Sequence, residues 1–471
     1  MTETAQLPLS GIRLKIRQLM GNRDARGIFG TMVLKVASAG IAFALFSLAA
    51  NAAGAEEFGR FSILFSALSI LSIVAASGQE MQVVRSWSEY LSDNRPGLAL
   101  GALRYGWYVS IGGVVFICTL FWVAFEMDTN IFRETIKTGH MMAFASIAFL
   151  VGNTLALYSS HATRAIVGIR MADGHYEFTW RAFAVVFLII SLFVGHPVTS
   201  TEILAVFALG LAFVVATQAF AVSKEVKKQI GDDVVADYDV KQWTPRSVRF
   251  WLASIMEVSN QHMEVFIIGM LLDPISAGAY FVAVRLANAF ALATSGLYTF
   301  GTRRVPSLYF SRNIPELKHT LNLMAGMSLI VVLVGMSAVV IGGDYMLMIF
   351  GRSYADYYWI FLILAIGTGM TAANGAAPAL LMLTGHEGRY VTIVTASVIL
   401  RVAGFFIVVP HFGILGAAVV SCVVMVVMAW LTNYFCRSLT GMDSSIMRFI
   451  VESRDEPPTR FQEANHIPDS Q

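Results

Sequence analysis

The feature that most limits the fold of this chain is a series of long apolar runs. Crossing the roughly 30 Å hydrocarbon core of a bilayer takes about 20 consecutive apolar residues in a helix, and runs of this length recur along the 471 residues. We predict about twelve transmembrane helices, at 28–50, 59–84, 105–125, 138–159, 177–195, 202–222, 249–272, 276–300, 321–343, 357–383, 390–409 and 414–436. Only 14% of the residues are charged, against roughly 25% in soluble domains. The composition therefore excludes a soluble globular protein and predicts an all-α polytopic membrane protein.

The basic residues predict how these helices are oriented. Cytoplasmic loops of membrane proteins carry an excess of Lys and Arg, and most of the 33 basic residues here fall in alternate loops. If the N-terminus is cytoplasmic, the loops on the opposite side contain only a few basic residues: Arg60, Arg133, Lys137 and Arg352. We therefore predict that both termini lie in the cytoplasm.

A polar segment in the middle of the chain divides the spans into two groups of six. The first half covers residues 28–222 and the second covers 249–436, with a cytoplasmic linker at 223–248. A basic cytoplasmic tail, 1–27, precedes the first half. The tail at 437–471 lacks apolar periodicity, and we predict that it is cytoplasmic and disordered. Neither the linker nor the C-terminal tail is long enough to form a catalytic domain, so the function must lie within the helical bundle.

The two halves show traces of an internal duplication. Short matches recur at an offset of about 219 residues, all at corresponding loops: Gly59–Phe61 with Gly278–Tyr280, Ile131–Arg133 with Ile349–Arg352, and Arg170 with Arg389. Because both halves begin on the same side of the membrane, the predicted repeat is parallel, with a pseudo-two-fold axis along the membrane normal. Two equivalent halves are the arrangement that a rocking transporter needs.

Several short motifs resemble a known transporter family. They lie near the ends of spans in both halves: Gly54–Ser62, Ser77–Glu80, Ala277–Leu286, Phe350–Ala355, Met382–His386 and Pro410–Ala418. Together they resemble the polysaccharide transporters of the multidrug/oligosaccharidyl-lipid/polysaccharide exporter superfamily. The twelve predicted spans suit this branch better than the fourteen expected of its peptidoglycan-precursor relatives.

The resemblance implies a flippase in the bacterial inner membrane, and not an enzyme. Its implied cargo is an undecaprenyl-diphosphate-linked oligosaccharide, such as an O-antigen, capsule or exopolysaccharide repeat unit. The cargo would move from the cytoplasmic to the periplasmic leaflet by alternating access. The implied partners are this lipid-linked oligosaccharide, the lipid bilayer and other polysaccharide assembly proteins.

A few ionisable side chains lie inside the predicted spans. Each costs about 2.5–3.5 kcal/mol at mid-membrane on insertion scales, so we expect them to face the bundle interior or a wet cavity. The deep ones are Lys35, Glu257, Glu264, Arg285 and Arg401. Arg181 lies near the end of its span, where we expect its side chain to extend to the membrane surface.

The three deep cations come from both halves. We expect Lys35, Arg285 and Arg401 to line one central cavity and to bind the diphosphate of the cargo. Arg grips phosphate through paired N–H donors, and Lys acts as a point charge. The alternative is that each cation has its own local partner.

Span 7 carries a polar face. Glu257, Asn260, Gln261 and Glu264 recur at i, i+3, i+4 and i+7, and therefore share one side of a helix. Glu264 and Arg285 lie at similar depths in adjacent antiparallel spans, which predicts an ion pair between them. Such a pair either neutralises two buried charges or leaves Glu264 to respond to a coupling proton or sodium ion.

Two other functions agree with parts of the sequence. A multidrug extrusion antiporter of the same superfamily would favour an anionic cavity, whereas the deep candidates here include three cations. A membrane-embedded glycan polymerase usually needs a substantial outer loop, and the predicted outer loops are short. No Walker-type loop and no metal-binding spacing occur in the sequence, so we predict no metal and no cofactor. The net charge of +2 disfavours nucleic acid as a partner.

Overall fold

The computed structural model describes residues 23–127, 139–288 and 313–449, together with Val305, Leu308 and Ser311. Side chains are described from Ala37 onward, except that of Leu383. Within these residues the chain is helical and contains no strand. The start of the N-terminal tail, the repeat match at Ile131–Arg133, the end of predicted span 8 and residues 450–471 lie outside the described residues.

The described part of the chain forms a bundle of α-helices. In chain order they are α1 (Arg23–Ala76), α2 (Gln79–Ser92), α3 (Pro96–Glu126), α4 (His140–Ile166), α5 (His175–Val194), α6 (Ser200–Ile230), α7 (Val240–Leu271), α8 (Pro274–Ala287), α9 (Ile314–Met348), α10 (Tyr358–Ala373), α11 (Ala377–Leu383) and α12 (Glu387–Thr440). Eight of the described helical segments are long and apolar enough to cross a membrane. α7 is more polar than these, and α8 is described only as far as Ala287.

Two of the helices each contain two predicted spans. α1 is interrupted at Gly54 (φ 75°) and α12 at Gly413 (φ 59°), in the left-handed region that glycine adopts without a steric penalty. Phe46 and Phe65 would lie about 28 Å apart along one continuous helix, but their ring centroids are 5.7 Å apart. The chain therefore folds back at Gly54. With both interruptions counted, the described helices account for the twelve predicted spans, of which span 8 is described only in part.

Contacts between loops define two ends of the bundle. At one end the linker packs on the first half, where the amide of Asp237 donates to the carbonyl of Gly97 at 2.9 Å. At the other end the carboxylate of Glu57 accepts hydrogen bonds from the amide and hydroxyl of Ser200. We call these the linker end and the distal end. The loops that meet at each end are those that the sequence analysis places on one side of the membrane.

The two halves meet at a pair of glycines that the repeat matches to each other. A Cβ added to Gly278 would lie 3.0 Å from the Cα of Gly59, and a Cβ on Gly59 would lie 1.9 Å from the carbonyl oxygen of Pro274. Only glycine allows so close an approach of two helix backbones. Equivalent residues touch each other where a two-fold axis passes between them. The contact therefore supports the predicted pseudo-symmetry of the halves.

Aromatic and polar contacts extend this interface. The rings of Phe46 and Phe281 have centroids 5.0 Å apart, and Asn51 Nδ2 donates to the carbonyl of Ile349 at 2.8 Å. α7 also runs along the first half, where Trp251 donates to a backbone carbonyl of α1. Apart from those of α7, the contacts between the halves within the described residues lie toward the distal end. Toward the linker end α7 joins the halves, where Gln79 Nε2 donates to Ser247 Oγ at 3.0 Å.

The chain after the last span is built into the bundle, which corrects the prediction of a disordered tail for residues 441–449. Asp443, Ser444 and Ser445 are each no more than 2% exposed. Ser444 Oγ donates to the carbonyl of Asn374 at 3.2 Å. This carbonyl lies in the gap between α10 and α11, where the chain turns at Gly375 (φ 57°). The polar segment is buried because it satisfies backbone groups that the interrupted helix leaves unpaired.

Candidate functional site

Glu264 and Arg401 form a buried ion pair in the second half. Arg401 Nη1 lies 2.6 Å from Glu264 Oε1, and the two side chains are 8% and 9% exposed. The other carboxylate oxygen accepts a 2.6 Å hydrogen bond from the hydroxyl of Tyr280, which also lies 2.9 Å from Ser421 Oγ. Asn260 Oδ1 accepts a 3.0 Å bond from Arg401. The network therefore ties α7, α8 and α12 together inside the membrane.

A small cavity borders this network. Its lining comes from α7 and α12: Ser259, Asn260, Met263, Glu264, Ile267, Val398, Arg401, Val402 and Phe405. The cavity volume is about 10 Å³, which is about the space that one water molecule needs. A sugar or a diphosphate is too large for it, so this network is not a cargo site in the conformation described.

The structure corrects the predicted ion pair between Glu264 and Arg285. Both carboxylate oxygens of Glu264 are already bonded, one to Arg401 and one to Tyr280. Arg285 follows Tyr280 by five residues, or about 140° around a helix at 3.6 residues per turn. It therefore points away from the ion pair although its depth is similar. Depth alone did not determine which side of α8 the arginine occupies.

Arg285 instead lies where the two halves meet. Its guanidinium carbon is 4.9 Å from the ring centroid of Phe281 and 5.2 Å from that of Phe46, which belongs to α1. Such cation–π contacts contribute about 0.5–2 kcal/mol, but they leave the positive charge uncompensated. No carboxylate and no hydrogen bond from the described residues reaches this side chain. Arg285 is thus a half-buried cation without a carboxylate or hydrogen-bond partner among the described residues.

Arg181, which the sequence analysis expects to extend to the membrane surface, is paired near the start of α5. Its side chain is 16% exposed and forms an ion pair with Glu177, one turn earlier in α5. Arg181 Nη1 also donates to Ser38 Oγ of α1 at 3.0 Å, and the guanidinium lies 5.0 Å from the ring centroid of Trp180. The carboxylate of Glu177 offsets the free-energy cost of burying the charge, so the side chain need not reach water.

The other predicted site residues are less connected. Glu257 and Gln261 are exposed on α7. Lys35 belongs to the helical backbone of α1, but its side chain lies outside the described side chains. Of the two predicted cations whose side chains are described, Arg401 is paired in the second half and Arg285 lies at the interface. Among the described residues, no group of metal-binding side chains occurs.

Sequence reasoning missed several polar residues of these sites. Tyr280 and Ser421 complete the bonding of the buried pair. His262 is buried with its ring centroid 5.7 Å from that of Phe65, and it lies within electrostatic range of Arg285. Tyr280 could have been found, since it is the one hydroxyl in the Ala277–Leu286 motif. His262 comes directly after Gln261 in the chain, and it therefore falls outside the spacing that predicts the polar face of span 7.

Comparison with solved structures identifies the fold. No family model and no curated protein matches the chain. An inward-facing multidrug resistance MATE family transporter of the MOP superfamily matches with a TM-score of 0.63 at 12% identity, over 86% of this chain and 97% of that one. The lipid II flippase MurJ, in an inward closed conformation, matches with a TM-score of 0.63 at 11% identity, over 84% and 86%. A MOP superfamily transporter from Pyrococcus furiosus matches with a TM-score of 0.57 at 12% identity, over 86% and 93%.

These matches show that the chain has the fold of the MOP superfamily transporters. The superfamily is the one that the sequence motifs resemble, so the comparison confirms that resemblance at the level of the fold. It also confirms the architecture of two pseudo-symmetric helical halves. The protein is a multi-pass membrane protein built on a transporter fold.

Proposed function

We propose that this protein flips an undecaprenyl-diphosphate-linked oligosaccharide across the bacterial inner membrane by alternating access. The observation that carries the proposal is Arg285, a cation at the interface of the halves that contacts only aromatic rings among the described residues. A diphosphate is the group that a lipid bilayer rejects most strongly, and a guanidinium matches its oxygens with paired N–H donors. One solved structure with this fold is a lipid II flippase, so the fold can serve the transfer of a lipid-linked group.

The basic loops support an orientation in the membrane. They lie at the linker end, and such loops favour the cytoplasmic side. With that orientation, both termini are cytoplasmic and the cargo enters from the cytoplasmic leaflet. Other polysaccharide assembly proteins would act on the cargo before and after it crosses.

We assign different roles to the remaining charges. Arg401 holds Glu264 in a charge pair and does not contact the cargo. A coupling proton or sodium ion would act on Glu264, because neutralising that carboxylate weakens its bond to Arg401 and loosens α12 from α7. Lys35 stays a candidate for the diphosphate, from the first half.

A multidrug antiporter is the main alternative, and the likeness to a MATE transporter supports it equally at the level of the fold. A pump for cationic compounds requires a carboxylate that is free to bind them. Glu264 is engaged on both oxygens, and Glu177 is paired with Arg181. The buried carboxylate of Glu80 accepts a bond from Ser254 Oγ and has no basic partner among the described residues. Arg285 has no carboxylate partner among the described residues, and this cation favours an anionic cargo.

An experiment in cells tests the proposed function. Deleting the gene is expected to make lipid-linked oligosaccharide accumulate on the cytoplasmic leaflet, with sugar synthesis intact. An Arg285→Ala variant expressed at the normal level should reproduce this phenotype, and an Arg60→Gln variant at the distal end should not. Unpolymerised units on the outer leaflet would instead indicate a polymerase. Drug sensitivity without accumulation would indicate a multidrug pump.

A further inference from the structure

A buried acid lies where α7 joins the two halves at the linker end. Glu80, in the first turn of α2, is only 2% exposed. We propose that Glu80 binds a proton, and that the neutral acid holds the linker end closed whereas the carboxylate favours its opening. The proposal concerns how the halves part at this end, and it holds whichever cargo passes between them.

The backbones of the two halves touch beside Glu80. Ser77 and Gly78, which connect α1 to α2, both have positive φ (54° and 74°). A Cβ on Gly78 would lie 2.2 Å from the carbonyl oxygen of Ser247 and 2.7 Å from the amide nitrogen of Trp251. Only glycine allows this approach. The contact at the linker end is therefore of the same kind as the contact between Gly59 and the second half at the distal end.

Three side chains along one face of α7 bond to the first half. Ser247, Trp251 and Ser254 recur at i, i+4 and i+7, and therefore share that face. Ser247 Oγ accepts a 3.0 Å bond from Gln79 Nε2. Trp251 Nε1 donates to a backbone carbonyl of α1 at 3.1 Å, and Ser254 Oγ donates to Glu80 Oε1 at 2.9 Å. Since the other described contacts between the halves lie toward the distal end, this face of α7 joins the halves at the linker end.

Glu80 has no cation to balance a negative charge. Its second carboxyl oxygen, Oε2, is buried without a hydrogen-bond partner. The charged and titratable side chains toward the linker end of α2 and of the helices packed against it are Arg85, Glu89 and Tyr90 on α2, Arg104 and Tyr105 on α3, Tyr158, His161 and Arg164 on α4, and Lys241, Arg246, Arg249 and Glu257 on α7. None of these forms a hydrogen bond or an ion pair with Glu80. Arg246 pairs with Glu89, and Arg164 pairs with Asp173.

Burial without a cation determines the sign of the effect. A carboxylate that leaves water unpaired is costly, and the single bond from Ser254 offsets only part of that cost. The neutral acid costs less to bury. Parting α2 from α7 returns Glu80 to water, where the carboxylate is stable. The closed state therefore binds more protons than the open state, so it is favoured at low pH and lost as the pH rises.

Distance measurements across the linker end test this proposal. Spin labels are attached at Lys224→Cys on α6 and Glu387→Cys on α12, both exposed positions, in the purified full-length protein with its three native cysteines replaced by alanine. Electron paramagnetic resonance then gives the distance distribution between pH 5 and pH 8. With Glu80 present, we expect the ratio of closed to open molecules to fall by up to about tenfold per pH unit. The Glu80→Gln variant stays neutral and should remain closed across this range.

A control and a second variant separate proton binding from a structural role. Glu89→Gln is the matched control, because Glu89 also lies on α2 and bonds to α7 through Arg246 at 3.1 Å, but is 31% exposed. This variant should keep the pH response. Ser254→Ala removes the hydrogen bond that stabilises the buried carboxylate, so the midpoint of opening should move to higher pH. If Ser254 and Glu80 only held the helices together, this variant would favour the open state at every pH.

The outcomes that overturn the proposal are specific to Glu80. An unchanged pH response in Glu80→Gln would overturn it, and so would the absence of any pH response with Glu80 present. An equally large response to Na⁺ at constant pH would assign the site to a metal ion instead of a proton. If Glu80→Gln does not fold, Ser254→Ala decides, because an unchanged or lower midpoint overturns the proposal. No cargo is present in this experiment, so each of these outcomes leaves the proposed function standing.

Discussion

Arg401 and Glu264 are stable inside the bundle only as a pair. Taking either charge out of water alone is costly, and the 2.6 Å contact between them offsets that cost. Tyr280 and Asn260 supply two further hydrogen bonds. The pair therefore joins three helices and carries no uncompensated charge, in contrast to Arg285.

Removing one member of this pair should destabilise the protein far more than removing both. We expect Arg401→Met to lower the free energy of unfolding by about 3–5 kcal/mol, because it leaves the carboxylate of Glu264 buried and unpaired. The double variant Glu264→Gln/Arg401→Met should regain most of this loss. Unfolding of the purified protein in detergent, followed by circular dichroism, provides the measurement. Arg285→Met, which loses only cation–π contacts, serves as the control and should cost no more than about 2 kcal/mol.

Equal losses in the single and double variants would show that the charge of Glu264 does not depend on Arg401.

The sequence could place Glu264 on a polar face and at mid-membrane depth, because helical spacing and apolar run length determine both. It could not identify the partner, since Arg401 is 137 residues away in the chain. Which side of a neighbouring helix a residue occupies depends on how the helices rotate as they pack.

The helices lie where the apolar runs of the sequence predict them. The form of the breaks within and between the helices does not follow from these runs. Gly54 and Gly413 lie at the predicted boundaries between spans, yet the helices continue up to each glycine on both sides. The break between α10 and α11 falls inside predicted span 10, and the segment Asp443–Ser445 is buried against it. Apolar periodicity cannot predict this burial, because the segment is held by polar groups rather than by apolar contacts.

Substituting Gly375 tests whether the tail depends on this break. A Cβ on Gly375 would lie 2.3 Å from the carbonyl oxygen of Ser444, whereas one on Gly385 would have no neighbour within 4 Å. Both glycines have positive φ (57° and 85°), so both alanine variants carry a similar backbone strain of roughly 1–3 kcal/mol. We expect trypsin to cleave after Arg448 about tenfold faster in Gly375→Ala than in Gly385→Ala. Equal rates would contradict docking of the tail at this position.

At the scale of the whole molecule, two similar halves meet at a pair of matched glycines and along α7. The touching glycines at positions 59 and 278 lie where the pseudo-two-fold axis passes between the halves, and backbone contact there leaves no room for a side chain. The sequence revealed this relation as a short match between the halves. It could not reveal that the matched residues touch, because an offset in sequence does not give the position of a symmetry axis.

The distribution of charge across the molecule follows from this arrangement. Glu264 of the second half is neutralised within its own half, and Arg181 of the first half is paired with Glu177. Arg285 lies between the halves and contacts aromatic rings. The central claim of the proposed function is that Arg285 binds the anionic group of the cargo.

Flipping of a fluorescent diphosphate-linked oligosaccharide lipid by the purified protein in liposomes tests this claim most directly. The wild-type protein and the Arg60→Gln control should move the lipid between leaflets, as measured by its protection from a membrane-impermeant quencher. The Arg285→Gln variant should move it at least about tenfold more slowly, through the loss of a charge-assisted contact. Equal flipping by the wild type and Arg285→Gln, or transport of an organic cation by the wild type in place of the lipid, would contradict the account.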